Sequence, residues 1–251
     1  MIATIHYNAK KYKIDLSKPL DLSIPLRGNA TNVNAWYIDH PKITPHTDGE
    51  FIGRVSEGSS VNFNDIWFNP HAHGTHTECI GHITKKFRSV NNSLDRYFFL
   101  AKVVTIAPGK LQGDFVISKK QLQNALGNDA IEAAVIRTLP NTREKFSKQY
   151  SHTDPPYLLE EAAQFLKDLG VDHLLVDLPS VDKEKDDGKL LAHKAFWNFE
   201  GKKRQHATIT EFIFVVNGIK DGIYFLNLQV APMENDASPS RPVLYGIVES
   251  F

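Results

Sequence analysis

Residues 69–82 bring together several side chains that could carry out metal chemistry. The segment reads Asn-Pro-His-Ala-His-Gly-Thr-His-Thr-Glu-Cys-Ile-Gly-His, so it holds four of the eleven histidines and one glutamate. Imidazole nitrogens and carboxylate oxygens are ligands that suit zinc or manganese. His76 and Glu78 stand two residues apart, so on a β-strand both side chains would project from the same face. The segment therefore predicts one wall of a metal-dependent active site.

A simpler interpretation stays open for each of these side chains taken alone. Histidines also gather in loops by chance, and a single histidine is more often a hydrogen-bonded polar residue than a ligand. Cys79 is the only cysteine and stands next to Glu78, so on a strand it would face away from the ligands. That position favours core packing over a nucleophilic role. The cluster as a whole, with Gly74 and Glu78 inside it, is what favours a metal site.

Composition limits the class of protein. The chain has 251 residues, 41% hydrophobic and 23% charged, and its 29 basic and 29 acidic residues give a formal net charge of zero. These values are typical of a globular protein and argue against nucleic acid as a partner. The single cysteine excludes an intramolecular disulfide, and no apolar run resembles a signal peptide or approaches the roughly 20 residues of a membrane span. We therefore expect a cytoplasmic protein that binds neither nucleic acid nor membrane.

The hydrophobic pattern predicts a mixed α/β sheet with flanking helices, formed by one domain over residues 1–251. Runs rich in Val, Ile, Phe and Tyr predict strands at 12–16, 102–106, 133–138, 173–178, 213–217, 223–230 and 243–248. Apolar residues at helical spacing, followed by a glycine, predict helices at 118–126 and 157–169. The polar loop 179–188 follows a buried strand, and strand ends border clefts in open α/β sheets. We therefore place this loop beside the active site.

The segment 72–82 resembles the signature of the metal-dependent cyclase superfamily, which includes bacterial kynurenine formamidases and isatin hydrolases. That signature runs His-x-Gly-Thr-His-x-Asp-x-Pro-x-His. Four positions match it outright: Gly74, Thr75, His76 and His82. Glu78 replaces the aspartate by its longer homologue. Ala72 stands in the place of a ligating histidine, and Ile80 in the place of the proline.

Further landmarks follow in the family's order along nearly the whole chain. The segment 14–17 resembles the opening strand, 176–182 the central segment, His193 the late histidine and Glu211 the late ligating glutamate. Between His193 and Glu211 the chain is longer than we expect for this family, with 198–206 as the insertion. The resemblance implies a compact α/β fold of the swivelling β/β/α type.

The resemblance also implies a role for each matched side chain. His76 and Glu78 would be metal ligands from the early motif, and His193 and Glu211 would complete the site from the far end of the chain. His82 would correspond to the family's catalytic histidine and act as general acid and base. The alternative for His82 is a hydrogen bond that orients a ligand. Bound zinc or manganese would lower the pKa of a water from about 15.7 to near 7 and polarise a carbonyl.

Ala72 leaves three outcomes open, because a methyl group cannot bind a metal. His71 or His73 could replace the missing ligand, although adjacent residues of an extended segment point to opposite faces. A single metal could instead be held by the four remaining ligands. In the third outcome the chain has lost metal and catalysis and keeps only the fold.

Together these features predict a metal-dependent amidohydrolase that cleaves the C–N bond of a small linear or cyclic amide. The resemblance makes N-formylkynurenine, the arylformamidase substrate of tryptophan catabolism, the first candidate. Four aromatic residues could line a pocket for an aryl amide, or could be core or subunit-contact residues: Trp36, Tyr37, Trp67 and Phe68. The rival hypothesis is a metal-free protein of the same fold that binds a small ligand without catalysis. A homo-oligomer, a dimer or a tetramer, is expected from the resemblance alone.

Overall fold

The computed structural model describes residues 1–250, with the backbone alone at 249 and 250. Its strands are β1 (Ile2–Tyr7), β2 (Lys10–Asp15), β3 (Leu20–Asp21), β4 (Lys42–Pro45), β5 (Thr47–Asp48), β6 (Phe51–Ile52), β7 (Asn64–Trp67), β8 (His76–Cys79), β9 (Phe98–Ile106), β10 (Gly109–Leu111), β11 (Asp114–Ile117), β12 (Ala133–Thr138), β13 (Tyr157–Leu158), β14 (His173–Val176), β15 (Thr208–Glu211), β16 (Gly222–Asn227), β17 (Ala237–Pro239) and β18 (Val243–Ser250). Its helices are α1 (Pro70–His73), α2 (Val90–Ser93), α3 (Lys119–Leu126), α4 (Glu160–Asp168) and α5 (Leu191–Phe196). Short 3-10 turns cover Val55–Glu57, Ile80–Ile83 and Arg143–Phe146.

One large mixed sheet forms the centre of the fold. Within residues 1–250 it has eleven strands in the order β1-β2-β18-β16-β9-β12-β14-β15-β8-β17, with β3 paired to β18. The central strands β9, β12, β14 and β15 are parallel, whereas β16 and β8 pair antiparallel on either side of them. The predicted mixed α/β fold with flanking helices is therefore confirmed. The prediction of one domain over residues 1–251 stays a prediction.

The central strands are covered on both faces. Every residue of β12 and β14 is buried. On one face α3, α4 and α5 pack against the sheet, and their buried side chains include Leu122, Leu166 and Phe196. On the other face Leu22 and Ile213 belong to a second apolar cluster. Parallel strands buried on both faces read as continuous apolar runs, which is why these strands are predictable from the sequence.

Both predicted helices are present, and each begins later than predicted. The first one, α3, begins at Lys119 because Ser118 is its N-cap and forms a capping box with Gln121. The second, α4, begins at Glu160 because residues 157 and 158 form β13, which pairs in parallel with β11, and Leu159 is the N-cap. Gly170 follows α4 with a φ of 87°, a conformation that glycine adopts readily. In the part of the chain that the structure describes, no helix is long and apolar enough to cross a membrane.

The predicted strand at 213–217 is wrong. The chain leaves β15 through Phe212, whose φ of 54° turns the backbone, and then runs irregularly beside the sheet. The backbone N–H of Ile213 donates to the carbonyl of Val176, and the next N–H donates to the carbonyl of Leu22, so no continuous ladder forms. Ile213 and Val215 are nevertheless fully buried. The apolar pattern of 213–217 thus indicates that the segment is buried, not that it pairs as a strand.

An extension formed by residues 42–67 carries apolar side chains into solvent. β4 and β7 pair antiparallel within it, and we call this pair the β4–β7 arm. The exposed apolar residues of the extension include Ile43, Phe63, Ile66 and Trp67. Groups of exposed apolar side chains on a globular protein are typical of interaction surfaces.

Candidate active site

The strand β8 lies between β15 and β17, and the register of these pairs decides which side chains meet. His76 is opposite Glu211 of β15, and His76 Nε2 lies 3.4 Å from Glu211 Oε2. Both side chains are buried. His76 Nδ1 donates a hydrogen bond to the carbonyl oxygen of Gly74 at 3.0 Å. This bond turns the other ring nitrogen of His76 into the site.

Glu78 projects from the same face of β8 as His76, as the two-residue spacing predicts. His193 on α5 approaches it, with 3.0 Å between His193 Nε2 and Glu78 Oε1. The same nitrogen lies 4.0 Å from Glu211 Oε1. The structure therefore brings the four predicted ligand residues together from β8, α5 and β15.

Asp182 holds His193 from the side away from Glu78. His193 Nδ1 donates to Asp182 Oδ2 at 2.5 Å. The Asp182 carboxylate also accepts the backbone N–H groups of Ala192 and His193 at the start of α5. Burial alone would lower the pKa of His193, but Asp182 and Glu78 raise this pKa well above its ordinary value. The loop 179–188 thus lies beside the site and fixes the orientation of one imidazole.

Three partly exposed side chains, His71, His82 and Asp236, form the outer side of the site. His71 Nδ1 lies 3.2 Å from Glu78 Oε2, and His71 Nε2 lies 2.9 Å from Asp236 Oδ2. His82 Nδ1 donates to the same aspartate oxygen at 3.2 Å, and its ring stacks on that of His71 with 4.3 Å between the centroids. Burial opposes protonation of His71, yet Asp236 and Glu78 raise its pKa to about 10. The hydrogen bonds from His71 and His82 in turn lower the pKa of Asp236.

Two buried atoms at the centre lack a hydrogen-bond partner among the described residues: His76 Nε2 and Glu78 Oε2. Leaving a buried polar atom unpaired costs about 1–3 kcal/mol. Three triplets each place one ligand atom per residue within 4.8 Å of the others: His71, His76 and Glu78; Glu78, His82 and His193; and His71, His82 and Asp236. Imidazole and carboxylate donors of this kind suit zinc or manganese. The residues present therefore fit a divalent metal. His71, Glu78 and His82 each belong to two of these triplets, whereas Glu211 belongs to none of the three.

A cavity of about 370 Å³ opens over these side chains. Its lining includes Trp36, Ile38, His82, Leu190, His193 and Glu211. Of the four aromatic residues proposed above as pocket residues, Trp36 lines this cavity, and the hydroxyl of Tyr37 donates to Glu184 at 2.5 Å beside it. Trp67 belongs to the β4–β7 arm, and Phe68 lines a separate cavity of about 390 Å³ around Arg241. The indole of Trp36 thus lines the same cavity as His82, His193 and Glu211.

His73 is turned away from the site, whereas His71 is turned towards it. His73 Nδ1 accepts the N–H of Asn69 at 2.8 Å, and Nε2 donates to the carbonyl of Asp39 at 2.9 Å, so the fold uses both nitrogens. The expectation that this segment is extended is wrong, because Pro70–His73 form the one-turn helix α1. Side chains two residues apart on a helix point about 200° apart. Only one of the two histidines beside Ala72 can therefore face Glu78.

The sequence indicated that Asp182 could reach the cleft but did not predict its contact with His193, and it did not predict Asp236 at all. Asp182 carried a signal, since it lies in the polar loop after a buried strand. Asp236 carried none, because only the pairing of β17 with β8, which places Ala237 opposite Glu78, brings it to the site. Cys79 is buried and its thiol pKa is raised by burial, which agrees with the predicted packing role.

Comparisons with known proteins point in one direction. Residues 14–183 match the family model described as "Putative cyclase". Kynurenine formamidases of Bacillus cereus and Bacillus anthracis are each 28% identical to this chain over 230 residues, which is 91% of this chain and 97% of the relative.

Solved structures share the fold. A predicted metal-dependent hydrolase from Bacillus stearothermophilus superposes with a TM-score of 0.63 at 18% identity, covering 91% of this chain and 98% of that one. An isatin hydrolase bound to the product analogue thioisatinate superposes with a TM-score of 0.65 at 15% identity, covering 92% of each chain. Because the family model spans well over half of its length, this chain belongs to the cyclase family.

Proposed function

We propose that this protein is a metal-dependent hydrolase that cleaves the C–N bond of a small linear or cyclic amide. The observation that carries the proposal is the pair of buried atoms His76 Nε2 and Glu78 Oε2, which make no hydrogen bond within residues 1–250 and lie beside Glu211 and His193. The similarity to kynurenine formamidases and the shared fold with an isatin hydrolase support the same chemistry. In those two names the substrates are a linear and a cyclic aryl amide.

His76, Glu78, His193 and Glu211 are the proposed metal ligands. When bound, zinc or manganese supplies an acidified water and polarises the scissile carbonyl. The chain's own contribution is to hold the ligands in place before binding, since strand register fixes His76 against Glu211 and Asp182 fixes His193. Such orienting contacts keep the ring nitrogens directed into the site.

His82 is the proposed general acid and base. Its Nδ1 donates to Asp236, which leaves Nε2 directed inward with its lone pair, 3.9 Å from Glu78 Oε2. The side chain is about a third exposed and lines the cavity, so Nε2 can take a proton from a nucleophilic water and give it to the departing amine. Imidazole is the side chain that most often serves as general acid and base in such proton transfers.

The proposed substrate is an aryl amide, and N-formylkynurenine is the first compound to test. The indole of Trp36 lines the cavity beside the ligand residues and offers an apolar face to an aromatic ring. Indole Nε1 of Trp36 donates to the carbonyl of His71 at 3.0 Å, so this ring is fixed relative to the site. An aryl group stacked there would lie within reach of the ligand side chains.

The test is metal content followed by activity. Protein purified without chelators is analysed for zinc and manganese per chain and assayed with N-formylkynurenine, isatin and an aliphatic formamide. We expect bound metal, and hydrolysis that disappears on chelation and returns with metal. His76→Ala combined with Glu211→Ala should abolish both. A chain that takes up no metal and cleaves none of these amides would contradict the proposal and favour a metal-free ligand-binding protein.

We further propose that the protein acts as a cytoplasmic homo-oligomer, a dimer or a tetramer, in which a second copy covers the β4–β7 arm. The exposed Phe63, Ile66 and Trp67 on and beside this arm support the assignment. The lone, buried Cys79 is consistent with a reducing compartment. Light scattering on the purified chain, with Ile66→Glu as the comparison, should show an assembly that the glutamate weakens. A wild-type monomer would contradict it.

A further inference from the structure

The one-turn helix α1 places the imidazole of His71 next to Ala72. Position 72 is where the family signature has a ligating histidine. Asn69 is the N-cap of α1 and accepts the N–H of His71, and Pro70 occupies the first turn. The helix therefore begins directly before His71, and its curvature separates neighbouring side chains by about 100° rather than placing them on opposite faces. As a result His71 and Ala72 both line the cavity that His82 and His193 also line.

His71 approaches the two atoms at the centre of the site, His76 Nε2 and Glu78 Oε2. Its Nδ1 lies 3.2 Å from Glu78 Oε2, and its ring centroid lies 5.1 Å from that of His76. One ligand atom each from His71, His76 and Glu78 falls within a common distance of 4.8 Å. The backbone of His71 is held as well, because its carbonyl accepts the indole N–H of Trp36. The position of this imidazole is thus set by the contact of its ring with Glu78 and by the contact of its backbone with Trp36.

Asp236 accepts a hydrogen bond from the ring nitrogen of His71 that points away from the site. His76 and His193 each make a hydrogen bond of the same kind. His71 Nε2 is 2.9 Å from Asp236 Oδ2. With the N–H on Nε2 donated to Asp236, the lone pair of Nδ1 points towards the site and can bind a metal. In the same way Asp182 holds one nitrogen of His193, and the carbonyl of Gly74 holds one nitrogen of His76. A histidine that binds metal generally donates its other ring N–H to such an acceptor, which fixes the tautomer.

We infer that His71 supplies the imidazole ligand that residue 72 cannot supply, and that Asp236 is the positioning residue that holds His71 in the ligating orientation. The inference rests on the proposed function, since it assumes that the site binds a divalent metal. To the four ligands proposed above it adds a fifth, His71 on α1. It also adds Asp236, just before β17, as the carboxylate that orients His71.

The experiment measures Co²⁺ and Zn²⁺ affinity by competition with a chromophoric chelator, together with the visible spectrum of the Co²⁺ form. Wild-type protein is compared with His71→Ala, Asp236→Asn and the control His206→Ala, whose ring is exposed and paired with Asp172. Loss of an orienting partner costs about 10–100-fold in metal affinity, so Asp236→Asn should fall in this range. His71→Ala should reach at least the upper end and change the Co²⁺ spectrum. His206→Ala should leave both unchanged.

The outcomes separate this inference from the function on which it rests. If wild-type protein binds metal and His71→Ala binds it equally tightly with the same spectrum, the role of His71 is overturned while the hydrolase proposal stands. If wild-type protein binds neither ion, both fall. Asp236→Asn keeps the shape of the side chain and serves if His71→Ala fails to fold, since wild-type affinity and spectrum in that variant would equally overturn the assignment. Thermal melting of the metal-free variants verifies folding.

Discussion

The inner and outer sides of the site are built in different ways. On the inner side, His76 and Glu211 face each other across paired strands and are almost completely buried. On the outer side, His71 and His82 come from a one-turn helix and a 3-10 turn, and their side chains are 20% and 32% exposed. Glu78 contacts both sides.

The difference indicates where a site of this kind can change. A one-residue shift in β8 would turn every side chain to the opposite face of the sheet, so His76 and Glu78 are tied to their positions. A short helix imposes no such alternation, and an imidazole at position 71 can reach the place of one at position 72. On the proposed assignment, a ligand on the outer side has moved to the neighbouring residue, while His76 and Glu211 on the inner side keep the family pattern.

Glu78→Gln should have the largest effect, because this carboxylate is the junction of the two sides. The amide keeps the size of the side chain but removes its charge, and we expect metal affinity to fall by more than about 100-fold with activity lost. Metal titration and the amidase assay measure the two effects. Retained metal binding in this variant would show that the sides do not share a ligand.

His82→Ala should separate chemistry from metal binding on the outer side. Loss of a general acid and base lowers kcat by about 10²–10⁴-fold, while the metal content should equal that of wild type. Elemental analysis and steady-state kinetics on the same preparation measure both quantities. Metal loss in this variant would instead make His82 a ligand or the support of one.

Asp182→Asn tests whether the inner side depends on its supporting carboxylate as much as the outer side does. We expect metal affinity to weaken by about 10–100-fold, because Asp182 fixes the ring of His193. Chelator competition gives the value for comparison with Asp236→Asn. An unchanged affinity would mean that the packing of α5 alone holds the imidazole.

Metal addition should raise the melting temperature, because a metal held by side chains from both sides of the site would bind only the folded chain. A ligand present at 100 times its Kd stabilises a folded chain by about 2.7 kcal/mol, which for a chain of this size is roughly 5–10 °C. Thermal melting with zinc, manganese or a chelator measures the shift. His76→Ala with Glu211→Ala should remove it, and a shift that survives in this double variant would place the stabilising metal elsewhere.

Cys79→Ala should have the smallest effect, because Cys79 is buried on β8 and, as the neighbour of Glu78 on a strand, faces away from the site. Its buried thiol makes the substitution cost about 1 kcal/mol of the free energy of unfolding, and activity should stay within about twofold. Denaturant unfolding and kinetics measure the change. A collapse of activity without loss of stability would give the thiol a chemical role.

The inner side of the site was more predictable than the outer side, for a physical reason. Two-residue spacing on β8 is a local pattern, so the amino-acid sequence alone is enough to assign His76 and Glu78 to one face. His193 and Glu211 followed from colinearity with the family. The orientation of His71 depends on a helix of only four residues, too short to show a period. Asp236 depends on strand pairing, which leaves no mark in the local sequence.

The same distinction explains the errors in the fold. β12 and β14 were predicted because their buried residues are largely apolar. β15 was missed although all four of its residues are buried, because the run Thr-Ile-Thr-Glu is not apolar. β1 was missed because its residues alternate between exposed and partly buried positions, a weak signal for one edge of a sheet. The buried segment 213–217 was mistaken for a strand because burial alone produces the same apolar run. Local composition reports burial more directly than it reports hydrogen-bonding partners.

The contact between His71 and Asp236 joins residues that are 165 positions apart. During synthesis from the N-terminus, the early histidine motif therefore emerges long before the carboxylate that holds it. β8 also lacks its neighbour β17 until then, since these strands pair only when residues 237–239 are available. Closing so long a loop comes late in folding because its entropy must first be offset by other contacts. A metal held by the proposed ligands would therefore bind late in folding, after β17 has paired with β8.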